Sequence, residues 1–285
     1  MIVSQVLTAG NLDEMIAFYK DVFGEVEVLE SKDFRGNQNN QYRHVKILGH
    51  EFYLMNGGEI TDQLPAMHYI VVFPKSRCSE LIPLHEKLRV GGQDLSHVKD
   101  MNFTEELFLL RDKYGVLWNF WSDSHCEKPE ILPSMVLSDD LVGKIDEIKE
   151  YYESVFDSVE FGDITYSDDG LIDHMSIRLL NHQLHVVSET SEKDLFSFNS
   201  ISSLNLGCET QEEIDRYSEA LGDHYYPGGW LSDKMGVMWC VDWPGMTDLL
   251  SIANEQQEQA IFGAIMNENP IRIEDVKKAF ENNKE

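Results

Sequence analysis

The stretch Arg111-Asp112-Lys113-Tyr114-Gly115-Val116-Leu117-Trp118-Asn119-Phe120 decides how this chain is read, because it occurs twice. The second copy is Leu231-Ser232-Asp233-Lys234-Met235-Gly236-Val237-Met238-Trp239-Cys240-Val241. Each is an Asp-Lys-x-Gly turn feeding a short apolar strand that carries Trp. Asp bonds its own backbone in such turns and Gly tolerates positive φ. The apolar run that follows suits a strand buried on at least one face. A turn and strand repeated at long range signal a duplicated unit.

The rest of the repeat lies around each copy. Residues 3–8 read as a strand. Asn11 caps a helix with Glu14 three residues on, and Leu12, Met15, Ile16, Tyr19, Val22 and Phe23 fall at helical spacing up to Gly24. Residues 26–29, 42–48 and 51–55 read as three strands. A second round follows: a strand at 66–73, a helix at 79–88 with Pro83 in its first turn, and strands at 107–110 and 116–121. Here the strand directly after the helix has no clear signature. The order restarts at Met135-Val136-Leu137-Ser138, which echoes Gln5-Val6-Leu7-Thr8. Strands at 173–180, 183–187 and 201–206 follow, and Thr210-Gln211-Glu212-Glu213 is a capping box opening a helix to Leu221. Beyond Trp243, helices are expected at 247–266 and 273–280, on either side of Pro270.

The expected fold is therefore α+β, with four β-α-β-β-β modules in two halves. The boundaries are 1–125 for the first half, 126–133 for a linker, 134–245 for the second half and 246–285 for a helical extension.

Composition narrows the function classes. With 42% hydrophobic and 11% aromatic residues among 285, the chain can bury a core. Lys and Arg total 23 against 51 Asp and Glu, a formal charge of −28. That field repels phosphate backbones, so no nucleic-acid partner is expected. It favours a cationic ligand, and it equally suits a plain solvated surface. No run reaches the roughly 18 apolar residues of a membrane span, and Met1-Ile2-Val3-Ser4-Gln5 does not open a secretory signal. Cys78, Cys126, Cys208 and Cys240 are scattered with no C-x-x-C pair. A cytoplasmic protein without disulfides or structural zinc is expected.

Several stretches carry a family resemblance. They are residues 229–239 around Trp230 and Trp239, 208–215 around the capping box, 52–58 ending Asn56-Gly57-Gly58, and the tail at 264–266 and 271–274. In these the chain resembles the vicinal oxygen chelate superfamily of glyoxalase-like and bleomycin-resistance-like proteins, most closely its PhnB-like branch. The resemblance implies modules paired into glyoxalase-like halves with cup-shaped mixed sheets, whose concave faces hold a metal or a small ligand. It also implies a monomer acting as an internal pseudo-dimer, or a homodimer. In metal-dependent relatives His and Glu on first and last strands are the ligands. Those positions fall here near Gln5, His68 and Asn119, and near Met135, Ser203 and Cys240.

That donor set is poor. Gln and Asn offer a neutral carbonyl, Met and Ser almost nothing, and a lone Cys is more often a small buried hydrophobe. The expectation is a metal-free binder of a small molecule, with no cofactor. Ligand-lining candidates are Gln5, His44, Tyr53, His68, Asn119, Trp121, His174, Trp230 and Cys240. Tyr69 is a further aromatic candidate, and aromatic walls of this kind suit a flat or cationic molecule. The alternative is a glyoxalase-like lyase or dioxygenase holding one divalent metal in the first half, with His68 as ligand. A third reading is a structural or regulatory protein with filled cups. His182 and His185, three apart on a strand, point to opposite faces and read as turn or surface residues. The branch has been labelled by resemblance to a methyltransferase. The glycine pairs at 57–58, 91–92 and 228–229 lie in turns, however, and no G-x-G follows a strand into a helix.

Overall fold

In the computed structural model, structure is described for every residue except 35–40, 58–59, 61–63, 100–105, 138–143, 167–171, 189–195, 198–200, 267 and 284–285. The first module runs β1 (Ile2–Ala9), α1 (Leu12–Phe23), β2 (Val26–Asp33), β3 (Gln41–Ile47) and β4 (His50–Asn56). After the short β5 (Leu64–Pro65), the second runs β6 (Met67–Pro74), α2 (Leu81–Leu88), β7 (Gln93–Lys99), β8 (Glu106–Arg111) and β9 (Leu117–Asp123). The third is β10 (Glu130–Leu137), α3 (Ile145–Val155), β11 (Val159–Tyr166), β12 (Ile172–Leu179) and β13 (His182–Ser188). Past β14 (Phe196–Ser197), the fourth is β15 (Ser202–Gly207), α4 (Gln211–Leu221), β16 (His224–Tyr226), β17 (Trp230–Ser232) and β18 (Met238–Asp242).

Four β-α-β-β-β modules are thus present, and β7 supplies the strand that lacked a signature. Two details differ from expectation. β10 begins at Glu130, inside the stretch read as linker. The C-terminal extension holds three helices rather than two: α5 (Gly245–Ile252), α6 (Glu255–Ile265) and α7 (Ile273–Asn282). The break falls at Asn254, whose side chain accepts from Gln257 N while Gln257 reaches back to the Asn254 N–H. That capping box starts a new helix.

The modules pair crosswise. Among the described residues one eight-stranded sheet has the order β16-β17-β18-β15-β1-β4-β3-β2, and the other β11-β12-β13-β10-β6-β9-β8-β7. The first sheet joins modules one and four through antiparallel β1 and β15, with Val3 opposite Leu206. The second joins modules two and three through β6 and β10, with His68 opposite Ser134. Each sheet thus takes one module from each half. Residues 1–125 alone would leave one edge of β1 and one of β6 unpaired, and such edges recruit other chains. The intact 32.8 kDa chain is expected to be a monomer by light scattering and the isolated half to self-associate. A folded, monomeric half would contradict this.

Strand alternation gives each sheet two faces. On one, Leu7 and Leu54 of the first sheet share a core with Tyr69 and Phe120 of the second, under Leu12 and Met15 of α1 and Leu84 of α2. A second core joins Leu204 and Trp239 to Met135 and Ile177, under Ile148 of α3 and Ile214 of α4. The helix-bearing faces of the two sheets share both cores, so the opposite faces look outward.

The duplicated turn locks this arrangement. Asp112 is 3% exposed. Its Oδ1 accepts from the N–H groups of Tyr114 (2.9 Å) and Val116 (3.0 Å), and its Oδ2 from Tyr19 Oη and Trp118 Nε1, both at 2.8 Å. Asp233 repeats the set with Met235 N (2.8 Å), Val237 N (2.9 Å), Tyr152 Oη (3.1 Å) and Trp239 Nε1 (2.9 Å). Tyr19 lies on α1, in a module of the first sheet, whereas Asp112 ends β8 of the second. Each carboxylate therefore ties the two modules of one half together across the two sheets.

Candidate functional site

On the first sheet, the outward face is fixed by register. Trp230 lies opposite Cys240, and Cys240 beside Asn205. Ser4 faces Asn205 and Val6 faces Ser203. Val6 neighbours Tyr53, which lies opposite His44, and Tyr42 lies opposite Met55. Asp242 shares the face with Cys240, two residues earlier on β18. None of the four module helices packs on this face, yet Val6, Thr8, Ser203 and Cys240 are all buried.

The C-terminal extension meets this face at its rims. Phe262 of α6 meets Phe34, just beyond β2, edge-on at 5.3 Å. Phe34 packs on the cluster of Leu250, Ile261, Ile265, Ile271 and Val276. At the other rim, Asn269 Nδ2 donates to the carbonyls of Tyr226 and Trp230, each at 2.6 Å. Gly229 has φ +79, and a Cβ there would sit 2.6 Å from Val241 O and 2.8 Å from Ile271 Cδ1, so only Gly lets the rim and the extension approach this closely. From β17 to β2 is six inter-strand steps, ~29 Å at ~4.8 Å each if the sheet were flat. Helix α6, with 11 residues, is only about 16 Å long. The extension reaches both rims, with Phe262 at β2 and Asn269 at β16–β17 only seven residues on, because the sheet curls into a cup.

Inside this first cup the polar floor is Asp242, Asn205, Cys240 and Ser203. The Asn205 side chain lies beside both Asp242 and Cys240. Asp242 Oδ1 and Ser203 Oγ are shut off from solvent without a hydrogen-bond partner. Burial pushes the Asp242 carboxyl up to about 6, with the neighbouring Asn205 amide opposing it. Burial likewise raises the Tyr42 and Tyr53 hydroxyls, and the Asp242 charge adds to both shifts. Tyr53 is stacked between His44 (4.4 Å) and Tyr42 (5.7 Å), forming an aromatic wall.

The outward face of the second sheet carries a different row. His185, Ser134 and His68 are neighbours across β13, β10 and β6. Asn119 lies beside Ile70, and Trp121 beside Val72. His68 Nδ1, Ser134 Oγ and Asn119 Oδ1 are buried without hydrogen-bond partners. Burial, then the neighbouring His185, lowers the His68 imidazole to about 3, so it is neutral. Leu64 of β5 covers part of this face, packed on Leu117 and Val136.

The nine candidates therefore separate. His44, Tyr53, Trp230 and Cys240 lie in the first cup. His68, Asn119 and Trp121 lie on the outward face of the second sheet. His174 is on β12 opposite Thr165, and its side chain lies outside the described residues. Gln5 does not line a cup. It points into the shared core, where Oε1 accepts from Tyr69 Oη (3.0 Å) and Nε2 meets His182 Nε2 (2.7 Å). Its place on the cup face is taken by Ser4 and Val6, one residue either side, since alternation reverses the face with each residue. Tyr69 is a core residue for the same reason. His182 is drawn into that inter-sheet contact and His185 is 8% exposed on the cup side, so neither is a surface residue. Asp242, Asn205, Tyr42 and Ser134 escaped the sequence reading. Asp242 and Tyr42 were each two residues from a named candidate, and the period of two is the signal that finds them.

Among the described residues the outward face of the second sheet offers a divalent ion two imidazoles, His68 and His185, short of the three protein ligands a catalytic zinc takes. No carboxylate accompanies them in the row, and among the described residues no group of three His, Cys, Asp or Glu is placed to hold a metal. Two shallow depressions, one around Cys126 and Lys128 and one around Asp215 and Asn269, lie outside both outward faces. Among the described residues no helix is long and apolar enough to cross a membrane.

Comparison with known proteins agrees with this geometry. A family model described as 3-demethylubiquinone-9 3-methyltransferase matches residues 130–242. Glyoxalase I from Zea mays is 13% identical, covers 87% of this chain and 95% of its own, and superposes with a TM-score of 0.54. The chain has a glyoxalase-like fold. A PhnB protein from Bacillus cereus, described as a putative 3-demethylubiquinone-9 3-methyltransferase, is 22% identical over 42% of this chain and 97% of its own, with a TM-score of 0.37. The fosfomycin resistance protein FosX from Listeria monocytogenes is 16% identical over 42% of this chain and 91% of its own, at 0.34. The likeness to the Zea mays enzyme, at 13% identity, establishes fold, not activity. No curated protein sequence matches the chain significantly.

Proposed function

We propose that this chain is a small-molecule binding protein that takes a compact or flat organic cation in the first cup, without a catalytic metal. The observation that carries this reading is Asp242. Its Oδ1 is buried and unpartnered, and a buried acceptor oxygen is costly unless a donor or cation meets it. The aromatic rings of Tyr42, Tyr53 and Trp230 on the same face suit a cation, whose charge is attracted to ring faces. The net charge of −28 would also raise the local concentration of cations.

The test is calorimetric titration with a panel of aromatic ammonium compounds and their neutral isosteres. Asp242→Asn should weaken binding of the cations by about 10- to 100-fold, the range of a charged hydrogen bond, and leave the neutral compounds unchanged. Equal binding of cations and neutral isosteres, indifferent to Asp242→Asn, would remove the cation assignment. The metal-dependent alternative is checked on protein purified without chelator. Stoichiometric metal lost with His68→Ala would overturn the metal-free reading.

A further inference from the structure

We infer that the cation taken by the first cup is a primary ammonium or an amidinium carried on a flat apolar body, and that a quaternary ammonium is refused. The inference rests on the proposal that this cup is the ligand site, and it narrows the ligand to one that brings its own N–H donors.

The first support is what the floor lacks. Asp242 Oδ1 and Ser203 Oγ are closed off from solvent and make no hydrogen bond. An ionised carboxylate oxygen only accepts, and a hydroxyl accepts as well as donates. The surroundings do not supply the missing donor. Asn205 stands beside Asp242, yet Oδ1 stays unpartnered. Cys240 Sγ is turned to Gly228 O at 3.9 Å, and burial keeps its thiol uncharged.

The cations on the same face are committed elsewhere. Lys46 and His44 meet Glu51 at 3.0 and 3.1 Å, and Lys32 lies within electrostatic reach of Glu258 and Glu30. An ammonium or amidinium N–H satisfies Asp242 Oδ1 with a charge-assisted bond, stronger than a neutral one. A quaternary ammonium has no N–H. Its methyl groups would leave that oxygen stripped of water and still without a donor.

The second support is the shape of the aromatic wall, which is a stack and not a cage. Quaternary ammonium groups are held by ring faces turned toward the charge, as in aromatic cages. Here Tyr53 is stacked on His44 at 4.4 Å and 14° and on Tyr42 at 5.7 Å and 28°. Other rings therefore cover the faces of Tyr53. A stack of this kind offers its outer face and its edges, which suit a flat body lying along it.

The experiment is calorimetric titration of the full chain at pH 7.5 with matched compounds on a phenethyl and a naphthylmethyl skeleton. Each skeleton carries a primary ammonium, an amidinium, a trimethylammonium or a neutral alcohol. The ammonium and amidinium should bind at least about tenfold more tightly than the trimethylammonium, the range of one charged hydrogen bond. Asp242→Asn should bring that ratio to within about threefold. Ser203→Ala, which leaves the carboxylate in place, should preserve the tenfold preference, and it serves as the check if Asp242→Asn fails to fold. Trimethylammonium binding as tightly as the primary ammonium, with the alcohol weaker than both, would overturn the N–H assignment and leave the cation reading standing. All four groups binding alike, or none binding, would remove the cation reading and this inference together.

Discussion

Asp233→Asn and Asp112→Asn should each destabilise the protein by about 3–5 kcal/mol, a larger cost than most single substitutions impose. Each carboxylate accepts four hydrogen bonds, two from backbone N–H groups and two from a Tyr and a Trp. An amide keeps one accepting oxygen and turns an NH2 toward two donors. A buried donor left without its acceptor costs about 1–3 kcal/mol, and two are stranded here. For a chain of this size the melting temperature should fall by about 6–15 °C. Tyr19→Phe removes one donor only and should cost about 1–2 kcal/mol. In a cycle with Asp112→Asn the two changes should be strongly non-additive, because they share one contact. Additive losses, or a change within 1 kcal/mol for either Asp, would mean the repeated turn does not hold the modules together.

Stability should fall, by about 3 kcal/mol, when the pH drops from 7 to 5. Two sets of groups oppose each other. His50 and His182 are lowered by burial to about 4, and His68 to about 3, against ~6.5 in the unfolded chain. Below pH 6.5 the unfolded state takes up protons that the folded state refuses. Each His therefore costs about 2 kcal/mol by pH 5, about 6 in all.

Asp233 and Asp242 act the other way, since burial raises both to about 6, against ~3.9 unfolded. The folded state protonates first, and each regains about 1.4 kcal/mol by pH 5. Asp112, raised by burial as well, joins the carboxyls, and the histidines win by size of shift. Urea unfolding at the two pH values measures the difference. Replacing His50, whose Nε2 is buried without a partner, by Asn should reduce the loss by about 2 kcal/mol. Stability flat or rising toward pH 5 would show that the carboxyls, helped by relief of the −28 charge, dominate instead.

The fold was legible where the sequence repeats a local rule. Asp-Lys-x-Gly, the Asn11 and Thr210 caps, and the apolar stripe of α1 each specify their own few residues, and all appear where expected. The Asn254 and Gln257 capping box was equally readable, and noticing it would have divided the long C-terminal helix. The choice of partner module was not legible. β1 would satisfy its backbone against β6 as well as against β15, and only the summed packing of four modules selects between them. That choice redistributed the site. Gln5, His68 and Asn119 look like one set along the chain, yet the structure puts Gln5 in the shared core and the other two on the second sheet. A shift of one residue on a strand separates a cup wall from a core contact.

Crosswise pairing of fused halves also changes what a single substitution does. In a pair of identical subunits every change is made twice, and two symmetric cups must drift together. Here each cup is built from two non-identical modules, so a residue gained in one need not appear in the other. One cup carries Asp242 beneath the helical extension and the other a row of imidazole and hydroxyl groups. The chain has the geometry of a dimer but is free of its symmetry, and its two cups can be altered independently.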